Sequence, residues 1–178
     1  MAGIQPVAIF KNKLYFLFGK ENQYADTPGW SDFGGGIDKG ETALKTAVRE
    51  AQEELTGFLG GDKEIKRLLG KGTYNLKHND YQMFICQLDY DETLPFYYNN
   101  NQRFLQKRLD PELLKKSKIF EKSEIKWVCV DDLKKMRPQF RSYFAEISDI
   151  LLEKKEEIIK YAKKHTRTSK KGTRKNGH

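Results

Sequence analysis

Three acidic residues, Glu50, Glu53 and Glu54, lie in a predicted helix that follows a glycine-rich stretch. Positions i, i+3 and i+4 lie on one face of a helix, so these carboxylates are predicted to converge on one patch. Carboxylates at that distance repel one another unless a cation lies among them. A hard divalent ion such as Mg2+ takes oxygen ligands, usually one or two carboxylates together with substrate phosphates. The stretch 34–57 therefore predicts a metal site for phosphate chemistry.

The helix that carries the carboxylates must also be held against the body of the protein. Apolar residues recur along it at the spacing of a core-facing stripe, namely Leu44, Ala47, Val48, Ala51 and Leu55. One side of the helix is therefore predicted to be buried, while another side presents the acidic patch.

The spacing of the charged residues resembles the Nudix box, the signature of the Nudix hydrolases. That box reads G-x5-E-x7-R-E-U-x-E-E-x-G-U, where U is an aliphatic residue. In this chain Gly35 is followed after five residues by Glu41, and after seven more by the run REAQEE that begins at Arg49. Thr56 occupies the last glycine position of the box, and Gly57 follows one residue late. The spacing of the carboxylates is unaffected by that departure.

The resemblance implies substitution at phosphorus in a diphosphate linkage, typically in a nucleoside diphosphate joined to another group. It implies that Glu50, Glu53 and Glu54 bind Mg2+ or Mn2+ and that one of these carboxylates also serves as the base. Glu53, Glu54 and Arg49 are the catalytic candidates of the box. Metal ions at such a site neutralise phosphates, polarise P–O bonds and lower the pKa of the attacking water.

Other positions of the box imply supporting roles. A backbone carbonyl of Gly34 or Gly35 resembles a further metal ligand of the family, and glycine permits close backbone approach. Arg49 and Glu41 match positions that orient the carboxylates and support the junction between loop and helix. The alternative for this pair is an ordinary surface ion pair, worth under ~1 kcal/mol.

A further acid is expected downstream of the box. Many family members use one shortly before a tryptophan-containing strand, and Glu121 lies six residues before Trp127. Glu124 is the alternative, and either residue is also compatible with a solvated charge at a sheet edge. We take Glu121 as a catalytic candidate.

Residues 91–119 interrupt the strand pattern with a polar, partly helical insert, where substrate selection is expected because loops on a rigid scaffold carry specificity. Aromatic and basic residues could there stack a base and hold phosphates. The candidate substrate-binding residues are Trp30, Phe96, Tyr97, Tyr98 and Arg103. The competing interpretation is that these aromatic residues pack the insert, and Trp30 the core.

The apolar pattern and the resemblance agree on the fold class, an α/β/α sandwich around a mixed β-sheet, closed by a C-terminal helix. The resemblance extends at the level of the fold over residues 4–160. Strands are predicted at 4–10, 13–19, 72–77, 81–88 and 125–130, and a long C-terminal helix at 138–164.

The charge is concentrated at one end of the chain. The net charge is +8, yet residues 163–178 hold seven of the 33 Lys and Arg and no acid, which leaves 26 basic against 25 acidic residues. We therefore predict a Nudix domain over residues 1–162 and a disordered basic tail over 163–178. The tail is compatible with an RNA contact or with a solubilising role.

The remaining sequence features indicate the cellular compartment of the protein. No apolar run approaches the ~20 residues of a membrane helix, and the N-terminus lacks the pattern of a signal peptide. Cys86 and Cys129 lack CxxC spacing and are predicted as free thiols in a reducing compartment. A cytoplasmic or nuclear protein is expected, without a membrane partner.

Three functions are compatible with the sequence. The first is hydrolysis of a nucleoside diphosphate derivative, including the mRNA cap, so that the partner is a nucleotide or capped RNA. The second is hydrolysis of diphosphoinositol polyphosphates. The third is a non-catalytic RNA-binding protein on a Nudix scaffold. The wording WSDFGGGID and the basic tail resemble Nudix proteins of eukaryotes and large DNA viruses.

Overall fold

The computed structural model describes residues 1–117 and 120–172, in which a mixed β-sheet lies between two layers of helices. The strands are β1 (Ala2–Phe10), β2 (Lys13–Glu21), β3 (Trp30–Ser31), β4 (Phe33–Gly35), β5 (Tyr74–His78), β6 (Tyr81–Gln87) and β7 (Lys122–Cys129). The helices are α1 (Ala43–Glu54), α2 (Asp62–Gly70), α3 (Thr93–Arg108), α4 (Pro111–Lys116), α5 (Leu133–Met136), α6 (Ser142–Glu153) and α7 (Lys155–Gly172). In this part of the chain no helix has the length and apolar content needed to cross a bilayer.

The sheet is mixed because β1 pairs with β6 in parallel and with β2 and β4 in antiparallel orientation. The order is β3-β2-β1-β6-β5, with β7 on β2 and β4 on β1. Lys11 and Asn12 both have positive φ, 46° and 63°, which suits the tight turn of a right-twisted hairpin. The strands predicted at 4–10 and 13–19 therefore form an antiparallel hairpin.

Alternation along the strands divides the core between the two faces of the sheet. In β6, Met83 and Ile85 pack with α6 and α7 residues, whereas Phe84 and Cys86 pack with residues of α1 and α2. Successive side chains of a strand point to opposite faces, so each face is covered by its own helices. The predicted α/β/α sandwich is confirmed.

Some predicted elements differ from the observed ones. The C-terminal helix is interrupted at Lys154, so α6 and α7 replace a single helix over 138–164. Helix α2 was not predicted from the sequence, and Leu44 of α1 is exposed instead of buried.

The segment 163–178 also differs from the sequence prediction. Helix α7 extends into this segment as far as Gly172, whereas disorder was predicted from residue 163. Extending a formed helix by one residue is much easier than nucleating a new one, which explains why a polar segment can continue it. Residues 173–178 of the predicted tail lie outside the described residues.

Candidate active site

A cavity of about 440 Å3 opens beside the glycines of β4 and the acidic side of α1. Gly34, Gly35 and Gly36 line it. Its charged lining consists of Glu21, Glu50, Glu54, Glu121, Asp26, Lys115, Lys116 and Arg141. Acids and cations from five separate parts of the chain therefore meet in one cavity.

Three of the carboxylates form a cluster that suits a metal ion. One oxygen from each of Glu50, Glu54 and Glu121 lies within 4.8 Å of the others. Glu54 Oε2 is buried and has no hydrogen-bond partner among the described residues. A cluster of oxygen donors with an unsatisfied buried carboxylate oxygen fits Mg2+ or Mn2+, both of which prefer such ligands.

The protonation of Glu54 reflects the excess of negative charge in this cavity. Burial, reinforced by the nearby Glu21 and Glu50, raises the pKa of the Glu54 carboxyl well above its usual value, although Lys122 opposes the shift. The Glu54 carboxyl is therefore harder to ionise than an isolated glutamate. A divalent ion would favour its ionised form.

Arg49 holds the acidic residues of the box in place. Its guanidinium donates to Glu50 Oε1 at 2.7 Å, to both oxygens of Glu41 at 3.1 and 3.2 Å, and to the carbonyl of Gly36 at 3.1 Å. Glu53 Oε2 lies 3.5 Å from the same guanidinium. The structure thus places Glu53 beside Arg49 and outside the cluster of three, which contains Glu121 instead.

Glu41 supports the junction between the glycine-rich loop and α1, as the box implies. Hydrogen bonds from Arg49 and Thr46 lower the pKa of Glu41 to about 2. A permanently charged carboxylate at this position keeps the arginine oriented toward Glu50.

Only glycine fits at position 35, because the backbone there lies against the Glu50 carboxylate of α1. A Cβ at this position would lie 2.5 Å from Glu50 Oε1 and 2.7 Å from Glu50 Cδ. The absent side chain therefore lets the β4 backbone approach the carboxylate closely, as expected for the loop of the box.

Lys122 is a member of the site that sequence reasoning missed. It is fully buried, its ammonium donates to Glu21 and to Ser31 Oγ at 2.9 Å, and it lies 3.1 Å from Glu54 Oε1. Burial opposes the charged form, but Glu54 and Glu21 raise the pKa of the Lys122 ammonium above its usual range. It therefore remains a cation beneath the carboxylate cluster.

The path of the Lys122 side chain depends on Gly19 of the neighbouring strand. A Cβ at Gly19 would lie 2.9 Å from Lys122 Cδ and 3.1 Å from Cγ. One sequence signal was available, since a lysine that begins a strand beside a predicted catalytic acid is a candidate for a buried partner. Its burial, however, follows from pairing between β2 and β7, which the sequence did not predict.

Arg141 was also missed. It donates to Glu21 Oε1 at 2.8 Å and to Thr27 Oγ1 at 2.7 Å, and it lines the cavity. It lies just before α6, about 120 residues from Glu21 in the chain. Such a separation carries no local sequence signal.

A second buried acid lies under the glycine-rich strand. The Tyr81 hydroxyl is 2.8 and 2.7 Å from the two oxygens of Asp32, which is fully buried. Burial raises the pKa of Asp32 to about 7, with the Tyr81 hydrogen bond opposing the shift. A Cβ at Gly34 would lie 2.7 Å from the Tyr81 hydroxyl, so this pair supports β4 from below.

The predicted substrate-binding residues fall in different places. Trp30 is 5% exposed and packs in the core, and Tyr98 is fully buried against the end of α1, so neither lines the cavity. Phe96 and Tyr97 are exposed on α3. Arg103 lines a cleft that adjoins the cavity.

Comparison with known proteins agrees with this architecture. A sequence model of the NUDIX domain matches residues 6–147. The fold is similar to that in a C. elegans Ap4A hydrolase binary complex, with a TM-score of 0.52 at 18% identity over 89% of this chain and 96% of that chain. It is also similar to RenU, a Nudix hydrolase from M. smegmatis, with a TM-score of 0.52 at 16% identity over 88% and 86% of the two chains. A search of curated proteins gives no significant match.

Proposed function

Since this chain belongs to the Nudix family of pyrophosphohydrolases, we propose that it cleaves a diphosphate linkage in a nucleoside diphosphate derivative with a divalent metal ion. The observation that carries the proposal is the cluster of Glu50, Glu54 and Glu121 inside a cavity bordered by lysine and arginine. A nucleotide substrate also agrees with the name of the C. elegans relative, an Ap4A hydrolase.

The carboxylates of this cluster would hold Mg2+ or Mn2+, and the carbonyls of Gly34 and Gly35 at the cavity wall are further candidate ligands. When bound, the ion would neutralise phosphate charge, polarise the P–O bond and lower the pKa of the attacking water. Glu53 is then a positioning residue. It holds the Arg49 guanidinium, which in turn orients Glu50.

The remaining residues of the cavity bind the substrate and handle the proton. Arg141, Lys115 and Lys116 supply positive charge for the phosphates. Glu121 is the proposed proton acceptor, because it lines the cavity beside Glu50 and Glu54 and matches the downstream acid expected before the tryptophan-containing strand. A carboxylate within reach of the attacking water typically contributes 10²–10⁴-fold to the rate, to order of magnitude.

Within this substrate class, we propose capped RNA as the specific substrate, which would make the reaction decapping. It is supported by the seven Lys and Arg of residues 163–178 and by the cleft containing Arg103 beside the cavity. A diphosphoinositol polyphosphate is the second candidate, and the cations that line the cavity favour it.

One panel of substrates tests these proposals. Capped RNA, dinucleoside polyphosphates, nucleoside triphosphates, ADP-ribose, NADH and inositol pyrophosphates would each be incubated with Mg2+ or Mn2+. We expect hydrolysis of at least one nucleoside diphosphate derivative by the wild type and none by Glu54→Gln. Hydrolysis of inositol pyrophosphates alone would replace the proposed substrate class. Equal rates for the wild type and Glu54→Gln would overturn the assigned site.

A further inference from the structure

Helix α3 presents large aromatic side chains to solvent. Its inner side is anchored by Tyr98 and Gln102, both fully buried. On its outer side Phe96 and Tyr97 are each 61% exposed and Phe104 is 59% exposed. Large exposed aromatic residues grouped on one helix face commonly mark a binding surface.

Basic residues lie among these aromatic residues in a regular arrangement. Residues seven and eleven positions apart fall on nearly the same side of a helix, within about 20° of one another. The aromatic–basic face so formed has two rows, Phe96-Arg103-Lys107 and Tyr97-Phe104-Arg108. Each row begins with an aromatic residue and ends with a cation about 16 Å farther along the helix axis.

The charges of the aromatic–basic face are available to a ligand. Helix α3 contains no Asp or Glu. Arg103 and Lys107 form no ion pair within residues 1–117 and 120–172, and Arg108 lies over the Phe104 ring at 5.4 Å from its centroid. An uncompensated row of cations beside exposed rings is complementary to a polyanion with aromatic groups.

The aromatic–basic face is continuous with the active site. Lys20, Arg103 and Lys107 line a cleft of about 540 Å3 that shares Glu21 and Asn22 with the catalytic cavity. Gln106 also lines this cleft, and its Nε2 is shielded from solvent without a hydrogen-bond partner among the described residues. A ligand in the cavity can therefore extend through the cleft onto α3.

We propose that the aromatic–basic face of α3 binds single-stranded nucleic acid, whose end enters the catalytic cavity through this cleft. The inference rests on the proposed function. A nucleoside diphosphate derivative joined to a nucleic acid would place its diphosphate in the catalytic cavity and its strand on the aromatic–basic face. Single strands offer unpaired base faces to Phe96, Tyr97 and Phe104, while the cations follow the phosphates. In a duplex the bases are paired and stacked, so their faces are not available to these three rings.

Binding of a fluorescein-labelled, uncapped single-stranded RNA of about 15 nucleotides tests the proposal by fluorescence anisotropy. The full chain is used with EDTA, so that hydrolysis cannot occur. The variant Phe96→Ala/Tyr97→Ala/Phe104→Ala should raise Kd by at least about tenfold, because the stacking surfaces are lost. Arg103→Gln/Lys107→Gln should flatten the slope of log K against log salt by about 1.4, since single strands lose about 0.7 per cation.

Matched controls separate this face from general effects of charge and hydrophobicity. Lys134→Gln/Lys135→Gln removes two exposed cations from α5, and Leu44→Ser removes an exposed apolar side chain from α1. Both control variants should bind the RNA as the wild type does. All changed side chains are exposed, so thermal melting should verify that each variant remains folded.

A wild-type Kd in the aromatic triple variant would overturn the proposal. This includes the case in which the variant changes only the oligomeric state, which would make the face an interface between copies of the chain. Equal losses in the control variants would also overturn it. Binding in EDTA does not depend on catalysis, so a failure of the substrate panel would reject the proposed function without deciding this result.

Discussion

Charge balance in the cavity depends on individual residues that lie far apart in the chain. Lys122 is fully buried between Glu21 and Glu54, while Arg49 engages Glu50 on the other side of the cluster. Removing one partner from a buried ion pair leaves an uncompensated charge, which is far more costly than losing a surface pair. The carboxylate cluster is therefore held by cations that take no direct part in the proposed reaction.

Replacing Glu121 by Gln should lower kcat at least about 100-fold on a nucleoside diphosphate substrate, because the proposed proton acceptor is lost. The matched control is Glu124→Gln, three residues later, whose side chain is 40% exposed and whose carboxylate lies 3.7 Å from Lys20. Steady-state rates of both purified variants check the prediction. A wild-type rate in Glu121→Gln together with a loss in Glu124→Gln would transfer the role to Glu124.

The buried Asp32 should make stability depend on pH. Burial raises its pKa from 3.8 to about 7 in the folded chain, so between these values the folded state binds more protons than the unfolded state. Stability then falls as pH rises, by up to about 1.4 kcal/mol per pH unit, and levels off above about pH 7. Asp32→Asn lacks this titration.

Urea unfolding of the wild type and Asp32→Asn between about pH 4 and pH 8 would measure the effect. The free energy of unfolding of the wild type should decline relative to that of the variant across this window. Parallel profiles for the two proteins would mean that Asp32 titrates near its ordinary pKa.

Among the structural elements, the end of α1 shows how the chain departs from the box yet keeps its geometry. Thr56 stands at the glycine position and adopts φ of +47°, and Gly57 follows with φ of +78°. The left-handed conformation is unfavourable for a β-branched residue. The Thr56 hydroxyl is also buried without a hydrogen-bond partner within the described part of the chain.

Restoring glycine at this position should stabilise the protein. Thr56→Gly relieves about 1–2 kcal/mol of left-handed strain and costs about 0.5–1 kcal/mol of chain entropy, for a net gain of about 0.5–1 kcal/mol. Thr56→Ala is the matched control, since it removes the hydroxyl and keeps the strain. Chemical denaturation of the three proteins checks the order, and a Thr56→Gly variant no more stable than Thr56→Ala would contradict the argument.

The insert helix α3 is fixed to the end of α1 by Tyr98. Its hydroxyl donates to the Glu54 carbonyl at 2.6 Å, and it is 3.2 Å from the Lys122 carbonyl. Tyr98→Phe should lower the free energy of unfolding by about 1–2 kcal/mol, because a buried carbonyl loses its donor. The neighbouring Tyr97→Phe, on the exposed side, should stay within about 0.5 kcal/mol of the wild type. Thermal or urea unfolding of both variants measures these changes. Equal losses of unfolding free energy would contradict the prediction that only the buried Tyr98 hydroxyl contributes.

For the whole molecule, metal binding should be linked to folding. The cluster joins Glu50 and Glu54 of α1 to Glu121, which precedes β7, so a bound ion would connect distant parts of the fold. A ligand that binds the folded state alone stabilises it by about 2.7 kcal/mol at 100 times its Kd. We therefore expect millimolar Mg2+ or Mn2+ to raise Tm.

The variant Glu50→Gln/Glu54→Gln provides the control for this measurement. It removes two charges from the cluster and should lose the metal-induced shift in Tm. Its Tm without metal should be lower than that of the wild type, because Lys122 keeps only Glu21 as an ionised partner. An equal metal-induced shift in wild type and variant, measured by scanning calorimetry, would place the stabilising ion elsewhere.

The sequence by itself determined the parts of the site that depend on local spacing. The order of Gly35, Glu41, Arg49 and the helix carboxylates predicted the glycine loop beside an acidic helix, and both were found. Local geometry sufficed because a helix fixes the relative directions of side chains within two turns. The order of predicted strands and helices, together with the resemblance to the Nudix box, likewise predicted the sandwich.

Only the tertiary structure decided which carboxylates share the cavity. Glu50 and Glu54 lie about 40° apart around the helix, whereas Glu53 lies about 60° to the other side of Glu50. Helical spacing made all three equivalent candidates, and the packing of α1 against the sheet placed the cavity on the side of Glu54. Glu121, Lys122 and Arg141 joined the site through the pairing of β7 with β2 and the contact of Arg141 with Glu21. Those contacts join residues about 100 positions apart, so no local pattern in the sequence could have specified them.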